Sequence, residues 1–324
     1  MNSGAAANAV VDQESVSSEF LKDALAGLGS VPRTLPCKYF YDHHGSDLFQ
    51  SICELPEYYI TRTELKILED HAGEMAAEIG RGAELIGLGT GAGTKTRILL
   101  ENLDHPAAYV PVDISRGQLE RSTILFRQKF PGLEILPVCT DYLQPFALPS
   151  PASQVARKVV YFPGSTIGNF EPPAALDFLR RICRFAGSGG GLLIGVDLQK
   201  DPRIIELAYN DPQGVTAEFN LNLLTRANRE LGANFDVRHW SHRAVYNPVD
   251  GRIEMNLISN RDQKVKLGGR QFDFEAGEKI VTEFSYKHTP EGFRALAADA
   301  GFIFDRLWTD EERLFGVFYF TVEP

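Results

Sequence analysis

The stretch Leu85-Ile86-Gly87-Leu88-Gly89-Thr90-Gly91-Ala92-Gly93-Thr94-Lys95 decides the fold. It is an apolar run that breaks into alternating glycines and then opens a helix. Glycine has no Cβ, so a ligand can approach the bare backbone of such a loop. The helix that follows offers unpaired N–H groups and the positive end of its dipole. An acid closes the next apolar run, Tyr109-Val110-Pro111-Val112-Asp113. It comes about 20 residues on, where a carboxylate meets the ribose hydroxyls of a bound nucleoside. The pattern reads as a site for an adenosine-type cofactor. The glycines alone do not name that cofactor, because several adenosine-binding folds share this strand, loop, helix and acid.

Bulk properties narrow the choice. The chain has 324 residues and a formal net charge of -10, which argues against a polyanionic partner such as nucleic acid. No apolar stretch approaches membrane-spanning length, so no membrane association is expected. Met1 to Glu19 is small and polar, without a basic start or an apolar centre. It reads as a disordered tail and not as a signal peptide. Cys37, Cys53, Cys139 and Cys183 are scattered, without CxxC spacing, as expected for reduced thiols in a cytoplasmic protein. His239 and His242 form an HxxH in an expected strand, where they would face opposite ways, so no metal is expected.

Strands and helices alternate from about residue 61 to 200, implying an α/β fold with a parallel sheet and right-handed crossovers. Thr61-x-x-Glu64 reads as a capping box opening a helix whose apolar stripe is Leu65, Leu68, Ala72, Met75 and Ile79. Further helices are expected over about Ser115–Lys129 and from the Pro172-Pro173 pair. Strands are expected at Ile135–Cys139, Lys158–Phe162 and Gly191–Val196, the last a continuous apolar run suited to burial on both faces. After Asp201-Pro202 the pattern becomes α+β. Helices are expected around Ile204–Tyr209 and Gln213–Leu231, then strands Phe235–Tyr246, Arg252–Ile258, Lys264–Leu267 and Lys279–Lys287. The α/β pattern resumes with helix Pro290–Ala300 and strands Phe302–Trp308 and Phe315–Val322. A final hairpin after the fifth parallel strand distinguishes class I S-adenosylmethionine (SAM) methyltransferases from nicotinamide-binding sheets. The fold expected is therefore a Rossmann-like sheet with a C-terminal antiparallel hairpin and an inserted α+β unit. The expected division assigns 20–62 and 202–287 to substrate binding, and 63–201 and 288–324 to the SAM-dependent domain.

Several segments together resemble a known family. They are Lys38-Tyr39-Phe40-Tyr41-Asp42, Gly45-Ser46-Asp47-Leu48-Phe49, Leu55-Pro56-Glu57-Tyr58-Tyr59-Ile60-Thr61-Arg62, Phe162-Pro163-Gly164-Ser165-Thr166-Ile167-Gly168-Asn169-Phe170, Tyr209-Asn210-Asp211, Phe219-Asn220-Leu221-Asn222 and Glu283-Phe284-Ser285. They resemble the L-histidine Nα-methyltransferases of ergothioneine biosynthesis, over about Ser30 to Thr321. That family is monomeric and converts histidine to its Nα-trimethyl betaine, hercynine, with three SAM molecules. The substrate sits between a methyltransferase domain and a separate substrate-binding domain. The resemblance implies that Tyr41, Gly89, Lys95, Asp113, Asp141 and Tyr142 line the SAM site. It implies that Tyr58, Gly164, Asn169, Tyr209, Met255, Glu283 and Ser285 line the histidine site, with Tyr58, Gly164 and Asn169 at the reacting centre. In one respect the chain departs from the family: Gly87 stands where family members usually carry an acid.

Each assignment has a chemical rationale. Asp113 would accept the ribose hydroxyls and Asp141 the adenine amino group, beside the ring of Tyr142. Lys95 would meet the cofactor carboxylate or cap helix charge. Asn169 and Tyr209 could donate to the substrate carboxylate without adding charge next to a sulfonium. Glu283 and Ser285 alternate on one strand, so both face one way and can read the two imidazole nitrogens. Met255 would add an apolar, polarizable wall. Tyr58 would hold the amino group or shield the growing trimethylammonium by cation–π contact. The competing readings are a related N-methyltransferase acting on tryptophan or a thiolated histidine, a nicotinamide oxidoreductase, and a non-catalytic SAM-binding module.

Overall fold

The computed structural model describes residues 13–89 and 91–323. Helix α1 (Gln13–Leu28), strand β1 (Arg33–Thr34), α2 (His43–Glu54) and α3 (Tyr59–Ile79) precede the strand of the glycine loop, β2 (Ala83–Leu88). Then follow α4 (Thr94–Asn102), β3 (Ala108–Asp113), α5 (Arg116–Lys129) and the short β4 (Glu134–Ile135) and β5 (Val138–Cys139). β6 (Arg157–Phe162), α6 (Pro172–Ala186) and β7 (Gly191–Asp197) complete the alternating region. The inserted region holds α7 (Pro202–Tyr209), α8 (Val215–Leu231), β8 (Trp240–Asn247), β9 (Arg252–Ser259), β10 (Gln263–Leu267), β11 (Arg270–Phe274) and β12 (Lys279–Tyr286). α9 (Pro290–Asp299), β13 (Phe302–Thr309) and β14 (Phe315–Val322) close the chain.

The large sheet has the order β13-β14-β7-β6-β2-β3-β4, with β5 also paired to β3. β4, β3, β2, β6 and β7 run parallel. β14 is antiparallel to both β7 and β13, so the last strand is inserted between the fifth parallel strand and its own hairpin partner. β2 and β7 are buried along their whole length. Alternate residues divide between two cores, as the two-residue period of a strand requires. Leu85, Tyr109, Val159, Tyr161, Leu193, Val317 and Tyr319 belong to one. Ile86, Val110, Val160, Phe162, Leu192, Ile194, Phe318 and Phe320 belong to the other, which α6 and α9 cover with Phe178, Ile182, Phe293 and Ala297. The first core runs on into the inserted region through Phe219, Leu223, Ile253, Met255 and Ile280.

That region is built on a second sheet, β1-β12-β9-β8, and a separate β10–β11 hairpin. β1, from the N-terminal segment, pairs in parallel with β12. The N-terminal segment and the insertion therefore share one sheet.

The local structure departs from the sequence reading at five points, the first being that the expected strand Ile135–Cys139 is split into β4 and β5. The disordered tail expected through Glu19 shortens, because α1 begins at Gln13; the rest of that expectation lies outside the described residues. Phe20, Ala24 and Leu28 of α1 are buried, an apolar stripe that gives this segment a reason to fold. The capping box is absent: α3 starts at Tyr59 with Tyr58 as its N-cap and runs unbroken across residue 62. Glu64 turns sideways into the core instead, fully buried. The expected strand from Phe235 starts only at Trp240, after a 3-10 turn at Val237–His239. The Asn228 side chain takes both backbone groups of Phe235, which are then unavailable to a ladder. β11 was not foreseen.

Candidate active site

The glycine loop, the end of β3 and the segment after β5 converge at the carboxyl edge of the parallel sheet. Gly89 has φ +62° and its N–H donates to the Val112 carbonyl at 2.9 Å, a backbone geometry that suits glycine. A Cβ placed on Gly89 would touch the Tyr142 ring at 3.5 Å. Asp113 follows directly on β3. Its Oδ1 accepts the Ser115 N–H at 2.9 Å, while Oδ2 faces the Gly91 N–H at 3.4 Å. Burial pushes the Asp113 carboxyl up, partly offset by those N–H groups. Asp141 spends Oδ1 on the Leu143 N–H at 2.8 Å. Its Oδ2 is buried and has no hydrogen-bond partner among the described residues. An orphaned acceptor of this kind, next to an aromatic ring, suits the amino group of an adenine.

Lys95, in the first turn of α4, binds the Glu64 carboxylate. The two Glu64 oxygens also accept the Gly164 N–H at 2.9 and 3.1 Å. Glu64 therefore joins the cofactor helix to the loop after β6. A Cβ on Gly195 of β7 would sit 2.3 Å from Glu64 Oε1, so that strand position has no room for a side chain.

The loop after β6 carries Gly164, with φ +79°, then a 3-10 turn at Thr166–Asn169. It seats against β12: a Cβ on Gly168 would lie 2.8 Å from the Tyr286 carbonyl and 3.2 Å from Ser285 Oγ. Asn169 Nδ2 lies 3.9 Å from Cys37 Sγ. The Tyr209 hydroxyl donates to Ser285 Oγ at 3.2 Å, and the Tyr209 and Tyr58 rings are edge-on with centroids 6.3 Å apart. Met255 on β9 stands directly opposite Glu283 on β12. Tyr41 packs edge-on against Phe49 and Phe219, and Phe49 reaches Tyr58.

Glu283 is half-buried. Burial pushes its carboxyl up to about 7, with Lys287 pulling the other way. Burial first, and the Glu283 charge second, raise the Cys37 thiol to about 12 and the Tyr41 phenol well above its ordinary value. The structure thus groups Tyr41, Tyr58, Tyr209, Met255, Glu283 and Ser285 beside the Gly164–Asn169 loop. Gly89, Asp113, Asp141 and Tyr142 form a second group at the sheet edge, and Lys95 lies between the two.

Four residues near these groups went unnoticed in the sequence. Glu64 was read as a cap. Cys37 was read only as one of four scattered reduced thiols. Lys287 continues the alternation of Glu283 and Ser285, and that spacing could have revealed it. Asp197 ends β7 at the ligand edge of the sheet, a recognisable place for a functional acid. His242, half of the HxxH, is bound to Asn220 at 2.9 Å and to the Tyr209 carbonyl at 2.8 Å. Among the described residues no group of three or more His, Cys, Asp or Glu is arranged to hold a metal ion.

A five-stranded parallel sheet, an inverted C-terminal hairpin, a glycine loop at the first strand of the unit and an acid ending the second define a SAM-dependent methyltransferase. The same topology sets the nicotinamide reading aside. Residues 20–322 match the model of the histidine-specific, SAM-dependent methyltransferases, and the chain belongs to that family. It is 40% identical over 301 residues to a histidine N-alpha-methyltransferase of Mycobacterium tuberculosis (strain CDC 1551 / Oshkosh), covering 91% of this chain and 92% of that protein. It is 39% identical over 309 residues to the protein of the same description from Mycolicibacterium smegmatis, covering 94% and 95%. Ergothioneine biosynthesis protein 1 of Neurospora crassa is 35% identical over 289 residues, 86% of this chain and 32% of that longer protein.

Proposed function

We propose that this chain transfers three methyl groups in succession from SAM to the α-nitrogen of L-histidine, forming hercynine in ergothioneine biosynthesis. The observation that carries the reading is the face of β12: Glu283 and Ser285 point one way, Met255 lies across from Glu283, and the Gly164–Asn169 loop closes on Ser285. A carboxylate and a hydroxyl at that spacing match the two nitrogens of an imidazole, one as acceptor and one as donor. Tryptophan offers a single indole N–H and leaves Ser285 without a partner.

SAM supplies a methyl group on a sulfonium, whose loss leaves a neutral thioether. The protein's task is therefore positioning and exclusion of water. Asp113 and the orphaned Asp141 oxygen hold the nucleoside, with Tyr142 against the adenine. Asn169 and Tyr209 hold the substrate carboxylate, and Glu283 and Ser285 its ring. The backbone of Gly164 and the Tyr58 hydroxyl orient the α-amine, the Tyr58 ring walls in the growing cation, and Tyr41 lines the SAM site. The α-ammonium loses its proton before each transfer, and the free amine at mildly alkaline pH suffices without a strong base. Residues 20–62 and 202–287 serve the substrate, and residues 63–201 and 288–324 the donor, in a cytoplasmic monomer that needs no nucleic acid. No helix among the described residues is long and apolar enough to cross a membrane.

Incubation of the purified chain with SAM and single amino acids, followed by mass spectrometry over time, tests this. Mono-, di- and trimethylhistidine should accumulate. Methylation of tryptophan or a thiolated histidine in preference, or no methylated amino acid, overturns it.

A further inference from the structure

Lys287 is a buried ammonium with three polar neighbours. Its Nζ lies 2.7 Å from Asp197 Oδ2, 2.9 Å from Ser285 Oγ and 3.2 Å from the Tyr209 hydroxyl. Both Lys287 and Asp197 have fully buried side chains. A lysine ammonium has three N–H donors and no acceptor. Each of these contacts uses one donor, so both hydroxyl oxygens must accept from Lys287. The Ser285 proton is then unspent, and the Tyr209 proton, which points to Ser285 Oγ at 3.2 Å, can turn to a bound acceptor.

Asp197 is itself fixed from several sides. The Tyr59 hydroxyl donates to it at 2.9 Å, Lys200 binds it, and its backbone N–H donates to Ser165 Oγ at 2.9 Å. Two ammonium groups, Lys287 and Lys200, thus share a single carboxylate. The Lys287 ammonium stands directly against Tyr209, 5.0 Å from the centre of its ring. Asp197 belongs to the parallel sheet and Lys287 follows β12, so this cluster also fixes the substrate strand to the donor half.

Resting on the function proposed above, we infer that Lys287 is a positioning residue that makes Tyr209 and Ser285 obligatory donors toward the substrate and selects for an anionic carboxylate. By accepting from the ammonium, the Tyr209 hydroxyl presents its proton to a carboxylate oxygen. Ser285 presents its proton to the unprotonated ring nitrogen, and Glu283 takes the ring N–H. The Lys287 ammonium acts on the carboxylate through the phenol. The chain then recognises the free acid and discriminates against amino acids whose carboxyl is capped.

The test compares L-histidine with L-histidinamide, which keeps the ring and the amine but lacks the anionic carboxylate. KM, kcat and SAM affinity are measured for wild type, Lys287→Met, Lys287→Gln, Tyr209→Phe and the double variant Tyr209→Phe/Lys287→Met. A lost charge-assisted hydrogen bond predicts that Lys287→Met raises the histidine KM about tenfold or more, with kcat and SAM affinity changed less than about threefold. The histidinamide KM should rise less, because only the ring contact through Ser285 is disturbed, so the preference for histidine falls. In the Tyr209→Phe background the second substitution should cost less than about threefold, because the two act as one unit. Retained SAM affinity shows that a variant is folded, and Lys287→Gln serves where the methionine variant is not. Tyr209→Phe alone must also reduce the preference, and an unchanged ratio there overturns the inference whatever the lysine variants do. Equal losses on both substrates, or additive costs in the double variant, overturn it as well. If wild type methylates neither compound, the proposed function itself fails; if it methylates histidine and the ratio ignores Lys287, only this inference fails.

Discussion

Met255 and Glu283 face each other across the β9–β12 ladder, an apolar side chain opposite a carboxylate on the face proposed to hold the imidazole. A hydrogen bond to a charged group contributes about 1.5–3 kcal/mol, so Glu283→Ala should weaken histidine binding roughly ten- to a hundredfold. SAM binding should survive, because the nucleoside groups lie on β3 and after β5. Calorimetry with each ligand separately checks both halves, and unchanged histidine affinity would remove Glu283 from the site.

The raised carboxyl of Glu283 has opposite consequences for stability and for binding. Its pKa moves from 4.5 up to about 7 on folding. The folded protein therefore favours the protonated acid, and this contribution to stability is lost as pH rises from about 4.5 through about 7. Ring binding needs the ionised acceptor and should strengthen over the upper part of the same interval. Glu283→Gln should abolish both trends. Thermal melts and histidine titrations across this pH range, wild type against variant, read them directly.

Asp113 faces the glycine loop with one oxygen and holds Ser115 with the other. Asp113→Ala should cost SAM affinity about 1.5–3 kcal/mol and histidine affinity much less. Parallel loss of both would count against the assigned role. Histidine should be titrated without the donor, so that ordered binding cannot mimic that result.

Gly168 has no room for a methyl group. An alanine there would press on the Tyr286 carbonyl and on Ser285 Oγ. Gly168→Ala should raise the histidine KM by moving Ser285 while leaving SAM affinity intact. Steady-state kinetics and SAM titration would separate these, and a loss confined to SAM would contradict the placement of this loop.

The Glu64–Lys95 pair is asymmetric: Glu64 is fully buried, and Lys95 keeps 19% of its side chain exposed. Lys95→Ala strands a buried carboxylate and should lower stability by about 3–5 kcal/mol. Adding Glu64→Gln should restore much of this, since the amide oxygen can still accept the Gly164 N–H. Denaturant unfolding of the single and double variants measures the difference, and an additive double variant would deny the coupling.

The sequence showed the sheet almost completely, because β2, β3 and β7 are apolar runs ended by glycine or an acid at the edge where ligands bind, and the apolar run of β6 ends at Pro163-Gly164. The terminal hairpin was equally plain from Phe302 to Val322. What stayed hidden depends on contacts remote in the chain. Glu64 satisfied a local capping pattern, yet the Gly164 N–H and Lys95 claim its carboxylate. Phe235 looked like strand, but Asn228 takes its backbone groups. Lys287 sat in plain alternation with Glu283 and Ser285, but its role depends on Asp197, ninety positions earlier. A single chain can suggest which groups face one way; it does not disclose which buried charge they meet.

The most direct measurement is a crystal structure of the full chain with S-adenosylhomocysteine and L-histidine. The imidazole is expected between Glu283 and Ser285, the carboxylate at Asn169 and Tyr209, and the α-nitrogen turned toward the sulfur. Histidine bound away from β12, or with its ring and carboxylate exchanged, would contradict it.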